Sequence, residues 1–100
     1  MAVLGSYVQQ PAETVDYDID YSEFLPDTDE LASATPPTVA ITPGGPSGLE
    51  VAAVNVASPQ WLKILLRGGV SGQRYKVEVT ATTNEGRVRQ DEFHVFVRDI

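Results

Sequence analysis

Apolar and polar side chains alternate along the last third of the chain. Tyr75, Val77, Val79 and Ala81 fall on one side of the run, and Arg74, Lys76, Glu78 and Thr80 on the other. A period of two is the mark of a β-strand with one buried face. Asn84, Glu85 and Gly86 interrupt the run. A second alternating run follows, with Phe93, Val95 and Val97 on the inner side and His94, Phe96 and Arg98 on the outer. The two runs predict a β-hairpin, in which Gly86 supplies the positive φ of the loop. Gly68, Gly69 and Gly72 form the turn that leads into it.

The rest of the chain reads as shorter strands and turns. In residues 15–21, Val15, Tyr17, Ile19 and Tyr21 alternate with Asp16, Asp18 and Asp20, which predicts a half-buried strand. Ser22, Glu23, Phe24 and Leu25 form a short turn that caps the core, and Pro26 stops it. Residues 31–42 are a weaker strand, broken by Pro36 and Pro37 and therefore at a sheet edge or bulge. Residues 43–48 are a turn cluster of Pro and Gly. Residues 49–56 form a strand in which Leu49, Val51 and Ala53 are offset against Val54 and Val56. After a turn at Ser58 and Pro59, residues 61–67 form a strand whose mixed apolar content suggests two buried faces or a subunit contact. Trp61 and Tyr75 are expected in the core, where a sandwich needs large aromatics to span its sheets. Tyr75, just after a glycine turn, sits like the tyrosine corner of immunoglobulin-like folds. Residues 1–14 sustain no period and predict an extended N-terminal arm. Residues 15–100 predict a single immunoglobulin-like antiparallel β-sandwich.

Size fits that reading, because 100 residues make one domain with one core. The charge is more informative. Residues 1–50 carry nine acidic side chains and no Lys or Arg, whereas residues 51–100 carry all seven basic side chains and have a net charge of +2. The two halves either pair within one sandwich or meet head to tail between copies, and such complementarity sets orientation more than affinity. A net charge of −7 argues against nucleic-acid binding. Absence of cysteine excludes disulfides and thiolate metal sites and suits synthesis in a reducing cytoplasm. The first residues lack a basic, then apolar, signal pattern, and no apolar stretch is long enough to span a membrane as a helix.

Candidate chemistry is sparse. Asp16, Asp18 and Asp20 have the spacing that opens a calcium loop, but Tyr21 stands where the loop needs Gly and Asp27 where it needs Glu. Weak calcium binding, with Asp27, Asp29 and Glu30 as further ligands, is the residual reading. The glycines at 68, 69 and 72 open a strand, not the helix that a phosphate loop requires. His94 is the single histidine and falls on a regular strand, away from any nucleophile pattern. No catalytic, cofactor or metal residue is assigned, and no enzyme activity is expected. Phe96 faces out beside His94 and Arg98 and is a candidate interface anchor. The outward residues Arg74, Lys76, Arg87, Arg89, Phe96 and Arg98 form the surface on which contact with acidic neighbours is expected.

Tyr17, Asp20, Tyr21, Ser22, Glu23, Phe24 and Leu25 match a Tyr-x-x-Asp-aromatic-Ser-acid-aromatic-Leu opening motif. Residues 27–34 follow it as Asp-Thr-Asp-Glu-Leu-Ala-Ser-Ala, and Gly68, Gly69, Gly72, Tyr75 and Val77, then Thr83, Gly86 and Arg87, match two closing motifs. In these the chain resembles the fiber-tail adaptor proteins of tailed phages, over residues 17–100. The resemblance implies a structural virion protein that joins tail or neck to fibers or other appendages, as an oligomer in contact with other virion proteins. In keeping with this, the apolar Val3, Leu4, Tyr7 and Val8 of the arm are expected to dock on a neighbouring protein. A capsid decoration protein and an immunoglobulin-like module that binds carbohydrate or a cell surface are the alternatives.

Overall fold

A computed structural model describes residues 2–26, 28–32, 37–43, 48–58 and 60–99. Expected turns and breaks at 33–36, 44–47 and Pro59 lie outside the described residues. Seven strands follow one another: β1 (Ala2–Gln9), β2 (Thr14–Asp20), β3 (Thr38–Pro43), β4 (Leu49–Ser58), β5 (Trp61–Gly68), β6 (Arg74–Thr82) and β7 (Val88–Val97). They form a four-stranded sheet, β1-β7-β6-β3, and a three-stranded sheet, β2-β5-β4. The chain is an all-β sandwich, as the alternation predicts.

The hairpin lies where the sequence places it. β6 and β7 pair antiparallel from Arg74 opposite Phe96 to Thr82 opposite Val88. Tyr75, Val77, Val79, Phe93, Val95 and Val97 are buried and meet Leu62, Ile64 and Leu66 of β5 in one core. Each such side chain contributes about 1.5–3 kcal/mol by leaving water. Tyr75 is wholly inside, and its hydroxyl accepts the Val70 backbone N–H at 2.9 Å.

β4 shows how a broken pattern is repaired. Its register against β5 shifts between Val51 and Ala53. The extra residue brings Val54 and Val56 into phase with Val51, opposite Ile64, Leu62 and Leu66. The apparent offset in the sequence is therefore a β-bulge. β3 is an edge strand, as its flanking prolines indicated, and Leu31 joins Thr83 through an isolated bridge.

Two expectations about β5 are corrected. Trp61 is 42% exposed, not core. Leu62, Ile64 and Leu66 fix the inward parity of β5, so the odd-numbered positions turn away and that strand has one buried face. The sheets are antiparallel as expected except at one pair, since β1 runs parallel with β7. The residues expected as an arm are extended, and they form the outer strand of the larger sheet.

The turn before β6 depends on glycine. Gly69 has φ of +102°, and a Cβ there would stand 2.5 Å from Cγ2 of the buried Val97. Gly72 has φ of +89° but open space around it. Gly69→Ala is expected to lower unfolding free energy by more than about 2 kcal/mol, through left-handed backbone cost plus displacement of Val97. Gly72→Ala carries the backbone term alone, about 1–2 kcal/mol. Urea denaturation of the two variants measures the difference; equal losses would refute the steric account of Gly69.

Candidate functional site

The residues singled out by sequence divide into three places. The first is a clamp that joins the segment after Pro26 to the β6–β7 turn. Asp29 is buried there, and its carboxylate accepts from Arg87 Nη1 at 2.8 Å and from the backbone N–H groups of Glu30 and Glu85 at 2.9 and 3.1 Å. The Asn84 N–H donates to the Glu30 carbonyl, and Ala32 N–H to Thr82. Burial pushes the Asp29 carboxyl up, but hydrogen bonds from Thr83, Arg87, Glu30 and Glu85 outweigh it and hold the group below its ordinary value. Arg87 also reaches Glu85 at 3.1 Å. Arg89 pairs with the buried Asp91 at 3.2 Å and lies over the Phe24 ring. Two of the expected contact residues, Arg87 and Arg89, thus already hold partners inside the chain.

Tyr21 sits at the same end of the core, 2% exposed, and its hydroxyl has no hydrogen-bond partner among the described residues. Burial first, and the Asp91 charge second, push it up to about 12.

The second place is the outward face of the larger sheet. Val8 pairs in register with Phe96, and Phe96 with Arg74. Paired residues point to the same face, so Val8, Phe96 and Arg74 form one row across β1, β7 and β6. Ser6, His94 and Lys76 form the next row. Lys76 holds Glu78 at 3.1 Å, and His94 meets Glu92 at 2.9 Å. The first row is the apolar and cationic end of the face, and Arg98, exposed just after β7, lies beside it with its N–H on the Gln9 carbonyl. The side chains of Val3 and Leu4 lie outside the described residues.

The third place was missed in the sequence. β1 and β2 are outer strands of different sheets on the same side of the sandwich, and an open groove of about 520 Å³ runs between them. Tyr7, Tyr17 and Phe93 form its aromatic floor, with ring centroids 5.2–5.9 Å apart. Asp16, Asp18 and Asp20 form its rim. Lys63 stands 3.4 Å from Asp16 and 3.9 Å from Asp18, and Asp20 accepts the Ser22 N–H, which lowers its carboxyl from the ordinary value. Among the described residues no group of three or more potential ligands is arranged to hold a metal ion. The strands are joined by Gln9, which is buried: its side chain donates to the Leu66 and Glu13 carbonyls and accepts from the Tyr17 hydroxyl at 2.8 Å. Alternation located Tyr17 and the Asp row individually, but the meeting of β1 with β2 depends on Gln9, which carries no pattern signal.

The first of these places draws together residues from separate motifs, and the third holds residues of the first motif. Asp29, from the segment after Pro26, meets Arg87 of the last motif. Tyr17 and Phe24 of the first motif support the groove and the Arg89 contact. A family model described as the podophage GP4 fiber-tail adaptor protein gp77 matches residues 9–96. The chain belongs to this adaptor family. No curated protein matches it. The matched span covers β2 to β7 almost entire, so family membership rests on the sandwich, including the clamp and the rim of the groove.

The Asp29 clamp gives a pH prediction. A carboxyl held below its unfolded value of about 3.9 stabilises the fold above that pH and loses the effect as pH falls through the folded value. Asp29→Asn is expected to lower Tm at neutral pH, and the gap from the unsubstituted protein should shrink below about pH 4. Thermal melts between pH 3 and pH 7 measure this; a gap that stays constant across the range would remove Asp29 from the acid response. At the groove, Tyr17→Phe should cost about 0.5–1.5 kcal/mol by taking the donor from Gln9, whereas Tyr21→Phe should cost nothing or stabilise. Chemical denaturation of both variants checks the order.

Proposed function

We infer that this chain is a structural component of a tailed-phage particle, seated at the tail or neck, where it joins the tail body to fibers or other appendages. The family match over residues 9–96 carries the reading. The physical arrangement supports it. The molecule presents edges and a row in which exposed Val8 and Arg74 flank the half-buried Phe96, surfaces suited to holding other proteins. Copies assemble around the tail and are made in the host cytoplasm before incorporation.

Contact through the outward face narrows to the side chains with room for a partner. Arg74, Phe96 and Val8 stand in one row with Arg98 beside it, whereas Lys76, Arg87 and Arg89 are engaged within the chain. Val8 is 56% exposed, and its burial against a neighbour would contribute up to about 1.5 kcal/mol. The arm acts as part of this face, because β1 lies along β7. Its removal would expose the β7 edge and take Gln9 from Leu66 and Tyr17, so truncation tests folding before assembly.

The test uses point variants and particles. Antibody labelling of purified virions is expected to mark the tail or neck; label confined to the head would overturn the placement. Arg74→Glu combined with Arg98→Glu should leave the melting curve within a few degrees, since exposed charges contribute little to stability, and should cut incorporation into particles at least about tenfold, equivalent to roughly 1.4 kcal/mol. Full incorporation of that variant would remove this face from the contact.

A further inference from the structure

The groove between β1 and β2 has an occupant that can be read from its chemistry. Among the described residues, β2 pairs with β5 alone, so its other edge presents N–H and C=O groups without ladder partners. Such an edge accepts an added strand unless something blocks it. Seven residues at about 3.3 Å each give roughly 23 Å of edge. The floor beside it is aromatic, and Tyr7 remains 43% exposed. The rim is a row of three exposed carboxylates with one neighbouring cation, Lys63. An added strand would place one set of alternate side chains on the floor and the other set along the rim.

A second copy of this chain does not fit that description. Its outer strands are β1, β2, β3 and β4, and none of them carries a Lys or Arg. The strand-borne basic residues belong to β5, β6 and β7, each of which already has a neighbour on both edges. Pairing β2 with β2 of a copy would set one Asp row against another, which destabilises a ladder. The acidic rim therefore disfavours self-pairing and leaves the edge for a strand of opposite charge.

We propose that the free edge of β2 takes up, by strand addition, an extended segment of a different protein in which apolar and cationic residues alternate. The apolar positions rest on Tyr7, Tyr17 and Phe93, and the cationic positions meet Asp16, Asp18 and Asp20. This deepens the adaptor reading, on which it rests, by giving one partner contact its chemistry.

The probe is an acetylated, amidated heptapeptide of sequence Lys-Val-Lys-Tyr-Lys-Val-Lys, titrated into the full chain and followed by calorimetry and by hydrogen exchange of residues 15–20. Saturable binding with slowed exchange across β2 is expected. Asp16→Asn with Asp18→Asn should weaken binding at least about tenfold, or roughly 1.4 kcal/mol. The same peptide N-methylated at alternate residues keeps its charge but cannot complete the ladder, and should also lose at least about tenfold. Absence of saturable binding, equal binding of the methylated peptide, or undiminished binding to the Asp variant would each overturn the proposal. Protection of residues 15–20 that rises with protein concentration alone would identify a second copy as the occupant and overturn it too. These readings are made on the isolated protein, so their failure leaves the particle-labelling result standing by itself.

Discussion

Everything in this molecule is arranged around three strands that bury one face each. Leu62, Ile64 and Leu66 of β5 face Tyr75, Val77 and Val79 of β6 and Phe93, Val95 and Val97 of β7, and all nine are essentially removed from water. With about 1.5–3 kcal/mol for each buried side chain, this block outweighs any single polar contact in the structure. β5 fixes the inner face of one sheet, and β6 with β7 fix the other. The outer strands β1, β2, β3 and β4 then add to edges that the block has already positioned.

The same constraint sets the charge distribution. A strand with one face in the core must carry its polar residues on the other face. β5, β6 and β7 therefore bear most of the Lys and Arg, and the outer strands β1, β2, β3 and β4 carry none. Several of the cations then find carboxylates close by: Lys63 with Asp16, Arg67 with Glu50, Arg87 with Asp29, Arg89 with Asp91. Exposed pairs of this kind contribute little. Asp91 and Asp29 differ, because both are buried; the Asp29 carboxylate would be costly there without Arg87 and the N–H groups around it. It gives the loop after Pro26 a fixed seat against the β6–β7 turn without an apolar strand of its own.

How far the sequence could be read follows from these forces. β2, β6 and β7 were legible because one dry face and one wet face leave a period of two. The core position of Tyr75 was legible for the same reason, with the glycine turn beside it. Trp61 misled because large aromatic size was weighed above parity on β5. The bulge in β4 was visible only as an offset between Val51 and Val54. β1 was not legible as a sheet strand, because parallel pairing with β7 and the Gln9 contacts are long-range events that leave no local period. The groove depends on β1, so it could not be anticipated either. Of the basic residues chosen as a contact surface, sequence gave the outward parity of Arg74, Lys76 and Phe96, but not the internal partners that occupy Arg87 and Arg89.

An adaptor has to distinguish the partners on its two sides, and this sandwich offers two surfaces of unlike chemistry. One is the flat outward face of the four-stranded sheet, where Val8, Phe96 and Arg74 stand in a row beside Arg98. The other is the open side between the sheets, with an aromatic floor and an acidic rim. Surfaces of opposite sign attract different partners and repel wrong ones, so they give orientation even where each contact is weak. The two are physically continuous through β1, whose Tyr7 turns to the groove and whose Val8 stands in the row of the flat face while also bordering the groove. A strand that alternates between both surfaces has no face free for unconstrained change. A substitution at Tyr7 or Val8 therefore acts on one surface directly and on the other through the position of the strand.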